Sequence, residues 1–336
     1  MQPQDFAQAA AALRAGAALV DVPGFPGGLG QGMAALAALA AGCSHLFLAR
    51  PPMAPGAVLC GASHVPQPGL RAHAAGLGPT PQAAFARAMG EVAETRALYR
   101  SPGDPRIDMA DTLPLLGAEL RPSGRIPAHG LLRDADRNAH GNGLGAGHDV
   151  TMAASAAWRE AVERHAIAVW FRNQAPAVPL PSPAAAQRLE SALRRNFKAE
   201  PLRYLLLPGA VPGLVVVVAL SEGTWGCLPG YGCAPTAAEA ACKAATEAVM
   251  GEFALYLEHR ARTEEGRAPP AQGFTARAAM LATRTDLTQP PAGGALMTGA
   301  ARQPAFADLT VADDGLVVLR SVTPGLLYPD ETPGPV

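Results

Sequence analysis

Residues 141–166 read GNGLGAGHDVTMAASAAWREAVERHA: a glycine-rich turn, an aspartate, then a long run free of helix breakers. Asp149 stands where a cap belongs, because its side-chain oxygen accepts the unpaired N–H groups of a first helical turn. The pattern predicts a helix from about Asp149 to Phe171. Glu160 lies eleven residues past that cap, and Glu163 follows three later. Residues at i and i+3 share one helix face, so two like charges sit side by side. On a lone surface helix this costs roughly a few tenths of a kcal/mol.

The same arrangement recurs twice. Residues 76–97, GLGPTPQAAFARAMGEVAETRA, place Glu91 eleven residues after Thr80 and Glu94 three further on. Residues 232–253, GCAPTAAEAACKAATEAVMGEF, place Glu247 eleven residues after Thr236. Pro81 suits a first helical position, and Thr236 with Glu239 has capping-box spacing. The first of these helices is predicted from Thr80 to about Tyr99, where SPGDP stops it, and the last from Thr236 to about Arg262. A gathered set of carboxylates becomes favourable around a hard divalent cation. Mg²⁺ usually joins a few carboxylates to substrate phosphates.

Around these helices the chain reads as short strands and loops. Two alanine-rich helices are predicted over Gln4–Ala18 and Met33–Ala41. HLFLA, GAVLCGAS, a segment near IPAHGLL and the terminal GLVVLRSV read as strands. LLLPGAVPGLVVVVAL is broken by two prolines and two glycines, and reads as two strands joined by a turn rather than a membrane helix. A short helix is predicted over Ala184–Asn196. GNGLGAG reads as a turn, GTWGCLPGYGCAP as a loop, and residues 263–300 as a mobile excursion.

Composition narrows the function. The 336 residues are 49% hydrophobic, enough for a sizeable core, and only 16% charged. Twenty-seven basic and 28 acidic side chains leave a net charge of -1, which gives no bulk attraction to nucleic acid or membrane. Lysine occurs only as Lys198 and Lys243. Five cysteines without CxxC spacing argue against a disulfide framework and for a cytoplasmic setting. The start, MQPQDF, lacks the pattern of a signal peptide. Gly30-Gln31-Gly32-Met33-Ala34-Ala35 loosely fits a dinucleotide loop, yet no acidic residue follows before Glu91.

The local sequences resemble the YcaO family. Its first signature is similar to Ala88-Met89-Gly90-Glu91-Val92-Ala93-Glu94. Its second is similar to Asn142-Gly143-Leu144-Gly145-Ala146-Gly147 followed by Glu160-Ala161-Val162-Glu163-Arg164-His165-Ala166. Its third resembles Gly230-Tyr231-Gly232 followed by Thr246-Glu247-Ala248, and VTPGLLYP resembles its C-terminal element. The matches run in order from about Leu70 to the C-terminus. The resemblance implies an α/β fold of packed subdomains, mixed sheets and long helices around a nucleotide cleft. It divides the chain into residues 1–70, a divergent region suited to partner docking, and residues 71–336, the YcaO-like domain with its proline-rich tail.

It also implies a chemistry: ATP and Mg²⁺ activating a peptide-backbone amide in a ribosomal peptide pathway. The product is an azoline, thioamide or amidine according to the nucleophile. Glu91, Glu94, Glu160, Glu163 and Glu247 match the family's nucleotide–magnesium positions, and Arg164 its phosphate-facing arginine. No catalytic residue is assigned. The implied partners are a precursor peptide, a leader-binding protein, and either a second copy of the chain or another YcaO protein. Four positions depart from the pattern: Arg87, His148, Met152 and Met250. Methionine offers no useful ligand to a hard cation. Either Arg87 serves as a new phosphate partner, or the chain is a catalytically silent scaffold that binds the peptide or a partner enzyme.

Overall fold

A computed structural model describes residues 19–21, 35–100, 103–133, 141–171, 176–209, 211–223, 226–265, 303–312, 314–324 and 326. The chain divides into two units. The first comprises Met1–Arg50, Val58–Ala161 and Gly299–Val336; the second comprises Pro51–Ala57 and Val162–Thr298.

The described residues of the first unit form two antiparallel sheets. In one, β1 (Leu19–Asp21), β2 (Cys43–Ala49), β3 (Val58–Gln67) and β4 (Leu70–Gly78) lie in sequence order. Helices α1 (Ala35–Ala41) and α2 (Pro81–Leu98) close over it, burying Leu39, Leu48, Phe85, Met89 and Val92 together. The other sheet has the order β6 (Pro122–Pro127), β5 (Thr112–Leu116), β12 (Phe306–Asp308), β13 (Val317–Ser321) and β7 (Leu144–Gly147). Helix α3 (Val150–Phe171) packs Ala153, Ala154 and Ala157 with Leu116, Phe306 and Leu319. The described residues of the second unit form one antiparallel sheet, β11 (Gly226–Ala234), β10 (Val215–Gly223), β9 (Arg203–Leu206) and β8 (Val178–Leu180). Helices α4 (Ala184–Arg194) and α5 (Ala237–Glu265) complete it. The apolar face of α5 is mostly alanine, with Ala240, Ala241, Ala244, Ala245 and Ala248 fully buried.

The glycine-rich stretches correct the sequence reading. GNGLGAG contains β7, and GTWGCLPGYGCAP contains β11, so both supply strands where a turn and a loop were expected. The reason is steric. A Cβ on Gly145 would stand 2.2 Å from the backbone nitrogen of Ala157, and one on Gly230 would stand 2.1 Å from that of Ala248. These glycines let a strand lie directly against helix backbone; they do not make turns. The strand expected near IPAHGLL lies earlier, as β6. The expected pair within Leu205–Leu220 is present as β9 and β10. The helix predicted over Gln4–Ala18, the dinucleotide-like loop, most of 263–300 and the terminal prolines lie outside the described residues.

The three strand–helix joints are built alike. Thr80, Asp149 and Thr236 each accept the N–H three residues on: Ala83 at 3.2 Å, Met152 at 2.8 Å and Glu239 at 3.3 Å. Four residues before each cap stands a glycine, Gly76, Gly145 or Gly232. A Cβ there would come within 2.3, 2.6 and 2.2 Å of the carbonyl oxygen four residues past the cap, that of Ala84, Ala153 and Ala240. In each joint the strand is an edge strand of its sheet.

Candidate functional site

In the first unit, α2 carries Glu91 and Glu94 on one face, as the i, i+3 spacing requires. Glu94 accepts the backbone N–H of Ala146, in edge strand β7, at 2.9 Å. Burial, then the charges of Glu91 and Glu160, push the Glu94 carboxyl well above the usual carboxylate range, against the pull of the Ala146 N–H. Two of the other expected residues, Glu91 and Glu160, are therefore close enough to act on the charge of Glu94. Arg87 donates from one guanidinium nitrogen to the carbonyl of Leu77 in β4. Among the described residues it makes no other hydrogen bond. Arg96 is committed elsewhere, to the buried carboxylate of Asp314 at 3.1 Å.

In the second unit, Glu163 is buried at 8% exposure, and Arg164 approaches its Oε1 at 3.5 Å. Glu247 accepts the N–H of Tyr231, in edge strand β11, at 2.7 Å. Lys243, one turn earlier on α5, donates to the carbonyl of Cys233 at 3.1 Å. Glu94 and Glu247 thus share a device that the sequence reading did not foresee. Each carboxylate is oriented by an outward N–H of an edge strand, a signal carried by backbone direction and not by residue type.

A further charged group was also missed. Arg194 makes a two-nitrogen pair with Glu252, one arm at 2.7 Å, and Ser221 donates to the same carboxylate at 2.6 Å. All three are about 5% exposed. Glu252 lies five residues past Glu247, and its pair ties α5 to α4 and β10. Of the departures, Met152 is 52% exposed, His148 is exposed and Met250 is half-buried.

The donor set suits a magnesium nucleotide. Carboxylate oxygens are the hard ligands Mg²⁺ prefers, and a cation beside Glu91, Glu94 and Glu160 would relieve the repulsion and burial that now raise the Glu94 carboxyl. Among the described residues no three of His, Cys, Asp and Glu form a ready-made metal cage. Among the described helices, none is long and apolar enough to cross a membrane.

A family model described as YcaO cyclodehydratase, ATP- and Mg²⁺-binding, matches residues 126–327. The fold is similar to that of YcaO from Methanopyrus kandleri bound with AMPPCP and Mg²⁺, with TM-score 0.60 and 19% identity over 85% of this chain and 86% of that one. It is also similar to a heterocyclase in complex with substrate and cofactor (TM-score 0.58, 15% identity, 86% of this chain and 50% of that one). A third similar structure is the E. coli microcin synthetase McbBCD complex (TM-score 0.54, 13% identity, 83% and 87%). No curated protein matches the sequence at a significant level.

Proposed function

Because this chain belongs to the YcaO family, whose cofactors are ATP and Mg²⁺, we propose that it activates backbone amides of a ribosomal precursor peptide. The observation that carries this reading is the gathered carboxylates, with Glu94 pushed up by burial and by its two acidic neighbours. Glu91, Glu94 and Glu160 are the ligands proposed for the magnesium nucleotide, and Glu163 and Glu247 are proposed with them on the family resemblance alone. Arg164 and the untethered part of Arg87 offset phosphate charge. When bound, the nucleotide supplies a phosphoryl group that turns a poor leaving group, the amide oxygen, into a good one. The chain's own contribution is placement. The Ala146 and Tyr231 N–H groups fix two carboxylates, and alanine–glycine packing brings each helix backbone close to its strand.

A substrate peptide and a leader-binding partner are part of this proposal, and the fold's similarity to a heterocyclase in complex with substrate and to a microcin synthetase complex supports peptide and partner binding in general. The product, azoline, thioamide or amidine, follows from which nucleophile is presented. Met250 favours a second reading. It stands fourteen residues past Thr236, where the other two joints have Glu94 and Glu163. A binding scaffold that has lost turnover would tolerate that exchange.

Calorimetric titration with ATP, with and without Mg²⁺, separates the two. Magnesium-dependent binding that Glu160→Gln abolishes supports the enzyme reading. A folded protein that binds no ATP, even with its partner peptide and protein present, refutes it and leaves the scaffold.

A further inference from the structure

Lys243 is one of two lysines in a chain with 27 basic residues, and it lies one helical turn before Glu247. Both grip the same edge strand. Lys243 Nζ donates to the Cys233 carbonyl at 3.1 Å, and Glu247 accepts the Tyr231 N–H at 2.7 Å. Residues 231 and 233 are two apart, so their backbone groups point to the same side of β11. The side chains of residues 243 and 247 likewise share one face of α5. A two-point clamp of this kind fixes α5 against β11 along the strand direction and leaves the Glu247 carboxylate little freedom to turn.

The first unit repeats half of the clamp. Arg87 is seven residues past Thr80, as Lys243 is seven past Thr236. Arg87 donates to the carbonyl of Leu77, three residues before its cap, as Lys243 does to Cys233. It lies four residues before Glu91, as Lys243 lies four before Glu247. The same geometry in two separate joints marks it as a feature of the joint and not an accident of one surface side chain.

We propose that Lys243 is a positioning residue: by holding the Cys233 carbonyl it keeps β11 in register with α5, so that the Tyr231 N–H orients Glu247 for the magnesium nucleotide. The part played by Glu247 rests on the proposed function; the clamp itself does not.

Two measurements on the full chain test it. The first is amide hydrogen exchange at Tyr231 without nucleotide, in wild type, Lys243→Met and Lys243→Arg. Lys243→Met is expected to reduce protection at Tyr231 at least tenfold while Ala248 and Val249, deep in α5, keep theirs. Lys243→Arg retains wild-type protection. Unchanged protection at Tyr231 in Lys243→Met overturns the proposal, whatever the nucleotide does.

The second is the affinity for ATP with Mg²⁺ in a double-mutant cycle with Glu247→Gln. Lys243→Met is expected to weaken binding about tenfold in the wild-type background and less than twofold in the Glu247→Gln background. An undiminished effect there would mean that Lys243 acts on the nucleotide directly, and the positioning role falls. A wild type that binds no ATP refutes the nucleotide reading instead, and the exchange measurement still decides the clamp.

Discussion

Replacing Gly230 by alanine tests whether GYGCA is strand against helix or merely loop. A Cβ at Gly230 would lie 2.1 Å from the nitrogen of Ala248 and 2.2 Å from the carbonyl oxygen of Ala244. Both are backbone atoms in the middle of α5 and cannot rotate away. Restoring ordinary contact near about 3.4 Å requires the helix to withdraw by about 1.3 Å, and a gap of that size forfeits at least about half of the dispersion well for the atoms that face it. Ala240, Ala241, Ala244, Ala245 and Ala248 all rely on that approach. Overpacking of this type costs about 1–3 kcal/mol, and the backbone location puts Gly230→Ala at about 3 kcal/mol or more. Gly90→Ala is the control. It lies within α2 with nothing within 4 Å of its Cβ position, so the substitution is expected to stabilise by about 0.5–1 kcal/mol. Urea denaturation of the two variants and wild type supplies the numbers. A Gly230→Ala protein within about 0.5 kcal/mol of wild type, the usual range for an unconstrained surface site, would refute the close packing of β11 on α5.

Two more outcomes follow from buried charge. Arg194→Met leaves Glu252 buried with only Ser221 to bond it, and is expected to cost about 3–5 kcal/mol in denaturant unfolding. The double change Arg194→Met with Glu252→Leu recovers most of that loss. Glu94 has a folded-state pKa raised above its unfolded value, so the metal-free protein loses stability as pH rises above the ordinary carboxylate range. Glu94→Gln keeps the acceptor for the Ala146 N–H, removes that slope in thermal melts, and abolishes magnesium-dependent nucleotide binding.

The helices were legible because their signals are local. Caps at Thr80, Asp149 and Thr236, the proline at 81 and the glutamates at fixed depth lie within one run of residues each, and α2, α3 and α5 begin one residue after the predicted caps. The strands β7 and β11 were not legible, because glycine carries two meanings. A glycine that permits a positive φ marks a turn, as at Gly143, whereas Gly145, Gly230 and Gly232 are glycine only because a helix backbone comes so near. That distinction depends on a partner far away in space and leaves no mark in local composition. The candidate site divides in the same way. The candidate carboxylates were named from spacing and family likeness. That Ala146 and Tyr231 orient two of them, and that Glu252 is sealed in an ion pair, depends on strand edges that no single run reveals.

His64 supplies a pH dependence of the opposite sign to that of Glu94. It lies in β3 at 1% exposure, and neither ring nitrogen has a hydrogen-bond partner among the described residues. Burial, with Arg96 and His73 facing it, pulls its pKa from 6.5 down to about 4. The unfolded chain therefore binds a proton between those values that the folded chain refuses. Stability is complete above about pH 6.5, falls as pH drops through that window, and is lower by about 3 kcal/mol once pH passes about 4, since each unit is worth about 1.4 kcal/mol. His64→Met fills similar space with no group to protonate. Subtracting its urea-titration profile from that of the wild type cancels the slope that Glu94 gives to both, and the difference should amount to at least about 2 kcal/mol lost by the wild type between pH 6.5 and pH 4.5. Parallel declines in the two proteins would show that the imidazole is solvated or partnered in the native state, and the burial argument for β3 would fail with it.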